Sequence, residues 1–287
     1  MSQSLADLLP GGDGRLGIRL WLKSAAYSQR LLLGEAGDPW ESASKYLAYF
    51  SQAHGLLKPD VAVLEVGGLF ESWLKRNPTL KVELLSKRKM SFPLRKLLEQ
   101  SQPREVLAEV IEALVAHLRG QTPLLLAMPS PRRWLQLANQ WAGRDEFSVD
   151  DDGIEDSAMY MADLLRFVSN LAVGGILLEE GGDSSAATPL NLELYRPLIN
   201  VTKHYRWPLA LHLGDCPVAE QDANQDIDLF IGKAGLPALG SAQGIDVSER
   251  LWADAAPALA DRQFYFVEIP RDATPETVLE NLARLRS

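Results

Sequence analysis

Charged and polar side chains stand at the ends of several apolar stretches that have the length of strands. Lys23 follows the first stretch, Glu65 ends the second, and His212 ends a later one. A lysine and a glutamate that face one another can bind a carboxylate and exchange a proton, and a histidine titrates near neutral pH. We therefore take Lys23, Glu65 and His212 as candidate catalytic residues. A purely structural Lys23–Glu65 ion pair, or a buried hydrogen bond at His212, is the alternative.

A second set of residues has the chemistry of an anion-binding site. The segment 128–134 follows an apolar stretch and carries Arg132 and Arg133 beside prolines. At the start of a helix such arginines can hold an anion, and a guanidinium can donate two parallel hydrogen bonds to a carboxylate. Arginines that remain in solvent are the alternative. The candidate substrate-binding residues are Ser130, Arg132, Arg133, Glu179, Asp215 and Arg271.

Glu179 and Glu180 are consecutive acids at the end of one apolar stretch. Side chains alternate between the two faces of a strand, so only one of the two can point into a site at the strand end. The other must face the helices or water. The residue that faces the site is a candidate general base or metal ligand.

Cys216 is the only cysteine, four residues after His212. Zinc is commonly held by histidine, cysteine and carboxylate ligands, but a single cysteine supplies at most one thiolate. We therefore expect no metal and no organic cofactor, with a mixed Glu, His and Cys site as the alternative. One cysteine also excludes an internal disulfide, and the N-terminal residues lack the features of a signal peptide. A cytoplasmic location is expected.

The elements that must position these residues alternate between apolar runs and amphipathic stretches, as parallel strands joined by helices require. The predicted strands are Leu16–Leu22, Val61–Val66, Pro123–Met128, Gly175–Glu179, Pro208–Leu213, Asp228–Ile231 and Phe264–Ile269. A final helix is predicted from Thr274-Pro275-Glu276, where a capping hydroxyl precedes a proline. A doubly wound open sheet would have a similar pattern, but no G-x-G-x-x-G fingerprint is present. The predicted fold is an α/β (β/α)₈ TIM barrel, with residues 1–287 forming one domain.

Composition limits the partners. The chain of 287 residues has a net charge of −9, which gives no basic field to attract nucleic acid. No apolar run approaches the ~20 residues that a membrane-spanning helix needs. We expect a small-molecule substrate, anionic in charge, and neither nucleic acid nor a membrane as partner.

Several segments occur in the same order as in a known family of barrels. They are Asp38-Pro39-Trp40, the run 58–64, the run 194–199, the run 208–214, Gln243-Gly244-Ile245-Asp246 and the segment that begins at Thr274. In this order the chain resembles uroporphyrinogen decarboxylase and the related barrel methyltransferases, which include cobalamin-independent methionine synthase. The resemblance spans nearly the whole chain and implies the same barrel and a homodimer.

The departures from that family bear on function. Lys23 stands where the decarboxylases have an arginine, Gly67 stands where they have the catalytic aspartate, and the segment 269–272 lacks their Gly-His-Gly histidine. The resemblance therefore implies an enzyme that acts on a carboxylated small molecule by lyase or decarboxylase chemistry, but not ordinary uroporphyrinogen decarboxylation. The alternatives are a zinc- or corrinoid-linked methyltransferase and a non-catalytic metabolite-binding barrel.

Overall fold

The computed structural model describes residues 3–10, 17–144, 147–181, 190–217, 226–233, 242–253 and 257–286. Its strands are β1 (Leu20–Lys23), β2 (Ala62–Glu65), β3 (Leu124–Pro129), β4 (Gly175–Glu179), β5 (Leu209–His212), β6 (Leu229–Gly232), β7 (Ala242–Asp246) and β8 (Gln263–Glu268). All seven strand pairings are parallel, in the order β1-β8-β7-β6-β5-β4-β3-β2. The sheet is therefore a nearly closed barrel.

Helices surround the barrel and connect successive strands. The described helices are α1 (Ala25–Leu33), α2 (Ala43–Leu57), α3 (Val66–Arg76), α4 (Pro78–Leu84), α5 (Phe92–Leu98), α6 (Ser101–Leu118), α7 (Pro131–Ala142), α8 (Asp151–Phe167), α9 (Arg196–Tyr205), α10 (Ser248–Ala253) and α11 (Pro275–Arg286). The predicted (β/α)₈ TIM-barrel class is confirmed. The predicted start of the last helix is confirmed as well, since α11 begins at Pro275, and Thr274 Oγ1 accepts a hydrogen bond from the backbone N–H of Thr277.

The inside of the barrel is filled by alternate side chains of the strands. Trp21 and Phe264 stack there with ring centroids 6.0 Å apart, together with smaller residues such as Ala127 and Ala210. Leu5, from a short 3₁₀ helix near the N-terminus, is fully buried in the same cluster. Packed side chains leave no open channel in such a core, so binding chemistry belongs at the strand ends.

Asp60 bridges the seam between β1 and β2 through both its side chain and its backbone N–H, which donates to the Leu20 carbonyl oxygen. No strand ladder joins these two strands among the described residues. Instead Asp60 Oδ2 accepts hydrogen bonds of 2.8 Å from the backbone N–H groups of Arg19 and Leu20. The carboxylate thus takes the place of a neighbouring strand for two N–H donors.

The strand β7 is absent from the sequence prediction. Its residues, Ala242–Asp246, include a glutamine and a glycine where the other strands have apolar runs. A Cβ atom at Gly244 would lie 2.8 Å from both Ile231 and Phe264, so neighbouring side chains occupy the space that a larger residue would fill. The first strand also differs in its limits: β1 begins at Leu20, and the predicted start at Leu16 lies outside the described residues.

No helix in the described ranges combines the length and apolar character needed to cross a membrane.

Candidate functional site

At the C-terminal end of the barrel, one residue on or directly after each strand forms a layer that is polar except for Pro129. On β1, Lys23 comes two residues after Trp21, and on β4, Glu179 comes two residues after Leu177, a spacing that keeps both on the interior face. The equivalent positions on the other strands complete a set that we term the mouth layer. The mouth layer consists of Lys23, Glu65, Pro129, Glu179, His212, Lys233, Asp246 and Glu268. Catalytic residues of barrel enzymes lie at this end.

Lys23 is neutralised by acids from other strands. Its Nζ lies 2.9 Å from Glu179 Oε1 and 3.6 Å from Glu268 Oε2. Burial by itself lowers the pKa of Lys23, but the negative charges of Glu179, Glu65 and Glu268 outweigh it and raise the pKa. The lysine therefore stays charged while its charge is already balanced, and this weakens it as a binding group for an anionic ligand.

Glu65 belongs to the same charged group but lines a different space. It borders a cavity of about 50 Å³ at the β1–β2 seam, together with the rings of Tyr46 and Tyr49. Burial raises the pKa of Glu65 to about 7, Lys23 opposes the increase, and nearby carboxylates add to it. A carboxyl with this pKa can give and take a proton near neutral pH. The predicted proximity of Lys23 and Glu65 is thus present in the structure.

His212 and Asp246 form a hydrogen-bonded pair in the mouth layer. His212 Nε2 lies 3.1 Å from Asp246 Oδ2, and the His212 side chain is only 8% exposed. The other carboxylate oxygen of Asp246 accepts hydrogen bonds from the backbone N–H and the hydroxyl of Ser248. Burial alone would raise the pKa of Asp246, but the hydrogen bonds from His212 and Ser248 outweigh burial and lower it. The carboxylate is therefore ionised and orients the imidazole.

Sequence reasoning missed Asp246 because it missed β7. The only available signal was the acid in the segment Gln243-Gly244-Ile245-Asp246, which followed no recognised strand. The parallel register places Asp246 beside Phe266 of β8, and the ring of Phe266 packs 4.5 Å from that of His212. Tertiary pairing, rather than proximity in the chain, makes the His212–Asp246 pair.

An open pocket of about 550 Å³ lies beside this pair, at the C-terminal ends of β5 to β8. Its lining residues are Gly181, His212, Gly214, Asp215, Lys233, Asp246, Ser248, Glu249, Arg250, Trp252, Glu268 and Pro270. The pocket has the size of a small-molecule site. Asp215, a predicted binding residue, lies in it and forms a 2.6 Å ion pair with Lys233.

Arg132 belongs to a buried hydrogen-bond network outside the barrel interior, on the side of the helices. Its guanidinium donates to Glu180 Oε2 at 2.9 Å and to Cys216 Sγ at 3.0 Å, and the Tyr195 hydroxyl donates to the other oxygen of Glu180. Glu180 is 1% exposed. Side-chain alternation has thus placed Glu179 in the mouth layer and Glu180 among the helices. The charge of Arg132 is already satisfied by the protein itself.

The remaining predicted binding residues lie apart from the pocket lining. Ser130 is fully buried and caps α7, with its Oγ accepting a hydrogen bond from the backbone N–H of Arg133. The Arg133 side chain is half-buried. Arg271 is on the surface and pairs with Glu35 and Asp272. The structure therefore brings Lys23, Glu65, Glu179 and His212 together in the mouth layer, but it does not add Ser130, Arg132, Arg133 or Arg271 to them.

The described residues do not fit a zinc site. No group of three or more His, Cys, Asp and Glu side chains able to hold a metal occurs in the described parts of the chain. Cys216 contacts Arg132, whereas His212 contacts Asp246. Burial raises the pKa of the Cys216 thiol, and the nearby Arg132 only partly opposes this. A neutral thiol is a poor metal ligand, so we derive no step through zinc.

Comparison of the sequence with protein-family models gave no match, and a search among curated proteins gave none either. The class of protein is thus defined by the fold and the site alone. It is a (β/α)₈ barrel with a pocket lined by ionisable side chains at the C-terminal ends of its strands.

Proposed function

We propose that the protein is an enzyme that acts on a carboxylated small molecule in the mouth pocket, by lyase or decarboxylase chemistry with His212 as the proton donor. The hydrogen bond from His212 to Asp246, at the edge of a pocket of about 550 Å³, is the observation that carries this proposal. An ionised aspartate fixes the orientation of the imidazole, as in other acid–base pairs.

The proposed step uses only groups of the chain. The bond between the carboxyl carbon and the adjacent carbon breaks, CO₂ leaves, and the electron pair remains on the adjacent carbon. Protonated His212 then donates its proton to that carbon, and Asp246 keeps its negative charge beside the imidazole throughout. Glu65 borders the separate cavity at the β1–β2 seam and takes no part in this step, while Lys23 pairs with Glu179 and Glu268 in the mouth layer.

Membership of the uroporphyrinogen decarboxylase-like barrels is part of this proposal. The order of sequence segments and the barrel itself support it. Ordinary uroporphyrinogen decarboxylation is not proposed, because Gly67 replaces the aspartate, and a Cβ atom at that position would already lie 3.2 Å from the Pro129 ring. The family resemblance also implies a homodimer, which sedimentation velocity would test.

The experiment is a turnover screen of the purified chain with carboxylated metabolites, read as release of ¹³CO₂ and as product mass. We expect His212→Asn to lower turnover by about 100-fold or more, the usual contribution of a general acid or base. Asp246→Asn should cause a smaller loss and shift the pH profile. His204→Asn is the matched control, because His204 is exposed on α9.

Two results would contradict the proposal. Full turnover in His212→Asn would remove His212 from the chemistry. Tight binding of a carboxylated ligand by the native chain, without any turnover, would instead support a non-catalytic metabolite-binding barrel.

A further inference from the structure

The cationic side chains around the pocket differ in whether their charge is already balanced. Lys23 pairs with Glu179 and Glu268, and Lys233 lies 2.6 Å from Asp215 and 3.4 Å from Glu249. Arg250 also lines the pocket, is exposed, and makes no ion pair or hydrogen bond with any described residue. Within the described lining of the pocket, Lys233 thus has a balanced charge, whereas Arg250 has no charged partner among the described residues.

The helix that carries Arg250 is fixed to the barrel end. Leu251, the next residue, is 2% exposed and packs in a core cluster with β7 and β8 residues. Trp252 donates from Nε1 to the backbone oxygen of Glu268, and Ser248 Oγ accepts from the backbone N–H of Glu268. These contacts fix the backbone on both sides of Arg250. Arg250 therefore extends from a fixed backbone segment and lines the same pocket as His212, and its planar donors can bind a carboxylate.

The rest of the pocket is acidic. Among the residues that the structure describes, its lining has the carboxylates of Asp215, Asp246, Glu249 and Glu268 against the cations Lys233 and Arg250. One ligand carboxylate can be balanced by Arg250. A second carboxylate would meet an excess of negative charge, and like charges repel.

We infer that Arg250 is the residue that binds the substrate carboxylate, and that the pocket accepts ligands with a single carboxylate and an uncharged or positively charged remainder. This inference rests on the proposed function, because it takes the ligand to be carboxylated. It replaces Lys23, Arg132 and Arg133 as the anion-binding residues. It also makes a polycarboxylate an unfavourable ligand.

The test compares three probes that share a four-carbon chain: butanoate, 4-aminobutanoate and succinate. Binding near neutral pH is followed by NMR at the indole N–H signal of Trp252, which the Trp252→Phe variant assigns. We expect butanoate and 4-aminobutanoate to bind about tenfold or more tightly than succinate. Arg250→Gln should weaken butanoate binding by about tenfold or more, the usual effect of losing a charge-assisted hydrogen bond.

Arg88→Gln is the matched control, because Arg88 is likewise exposed and lies outside the pocket lining. It should leave butanoate binding unchanged. The inference is overturned if Arg250→Gln binds butanoate as the native chain does, if succinate binds as tightly as butanoate, or if butanoate gives no saturable shift. His212→Asn separates the two proposals, since it should lower turnover by about 100-fold or more while butanoate still binds. If His212→Asn loses turnover but Arg250→Gln binds butanoate as the native chain does, the proposed function stands and only the role of Arg250 is overturned.

Discussion

Glu65 combines a carboxylate with an environment that disfavours its charge. Burial raises its pKa to about 7, and the positive charge of Lys23 offsets only part of that effect. The folded state therefore holds this proton more tightly than the unfolded state. Protonation of Glu65 therefore contributes to the free energy of unfolding. This contribution is fully present below the unfolded-state pKa, near 4.5, and is lost as the pH rises through about 7. Glu65 thus makes the fold less stable in mildly alkaline solution.

The Glu65→Gln variant tests this linkage. Relative to this variant, we expect the free energy of unfolding of the native chain to fall by on the order of 2 kcal/mol between about pH 5 and about pH 8. Urea unfolding at several pH values measures the difference. Glu112→Gln, at an exposed position of α6, is the control and should follow the native curve. If the free energy of unfolding of the native chain instead rose with pH relative to Glu65→Gln, the raised pKa of Glu65 would be contradicted.

At the scale of elements, the seam between β1 and β2 depends on Asp60. Its carboxylate accepts two backbone hydrogen bonds, from Arg19 and Leu20, that no strand ladder replaces among the described residues. We expect Asp60→Ala to lower the free energy of unfolding by about 1–3 kcal/mol, because backbone donors lose their partner. Asp60→Asn keeps one acceptor oxygen and should lose less.

Hydrogen exchange gives this prediction a local readout. The amides of Arg19 and Leu20 should exchange faster in Asp60→Ala. Amides within the β3–β4 ladder should lose protection only by the amount that the free energy of global unfolding falls. Asp163→Ala, on the exposed face of α8, serves as the control. Unchanged exchange at Arg19 and Leu20 would show that the seam does not need the Asp60 carboxylate.

At the scale of the whole molecule, one continuous sheet connects every described strand. Opening any part of the barrel therefore exposes the apolar interior that the other strands share. We expect residues 1–287 to unfold as one domain, with circular dichroism and tryptophan fluorescence reporting the same thermal midpoint. Two separated transitions would contradict the single-domain prediction.

The net charge of −9 gives a further prediction for the whole molecule. Because an acidic protein repels the phosphate backbone, we expect the protein not to retard nucleic acid in a gel-shift assay.

The parallel sheet covered by helices was predictable because its pattern is local, and the missing G-x-G-x-x-G fingerprint favoured a closed barrel over an open sheet. Continuously apolar runs between amphipathic stretches require a parallel sheet covered by helices, whatever the detailed packing. The strand β7 was not predictable in this way. Gly244 is needed where Ile231 and Phe264 approach the backbone, and this close packing is a property of three strands together.

The candidate site was predictable in part. Lys23, Glu65, Glu179 and His212 follow apolar runs, and the carboxyl ends of parallel strands meet at one end of a barrel. The roles of the arginines were not predictable. Arg132 is paired with the buried Glu180, whereas Arg250 follows the missed strand and lines the pocket. No sequence pattern separates these two arginines. They differ only in the residues that lie next to them in the folded structure.

By itself, the sequence determined the class of fold, the acidic net charge and the polar strand ends Lys23, Glu65, Glu179 and His212, because composition and the spacing of apolar residues are local properties. The tertiary structure alone decided which charges balance one another. It paired His212 with Asp246 and Lys23 with Glu179, which lie 34 and 156 positions apart in the chain. Strand order and register set such contacts, and a charge acts on a ligand only when no nearby group has already neutralised it.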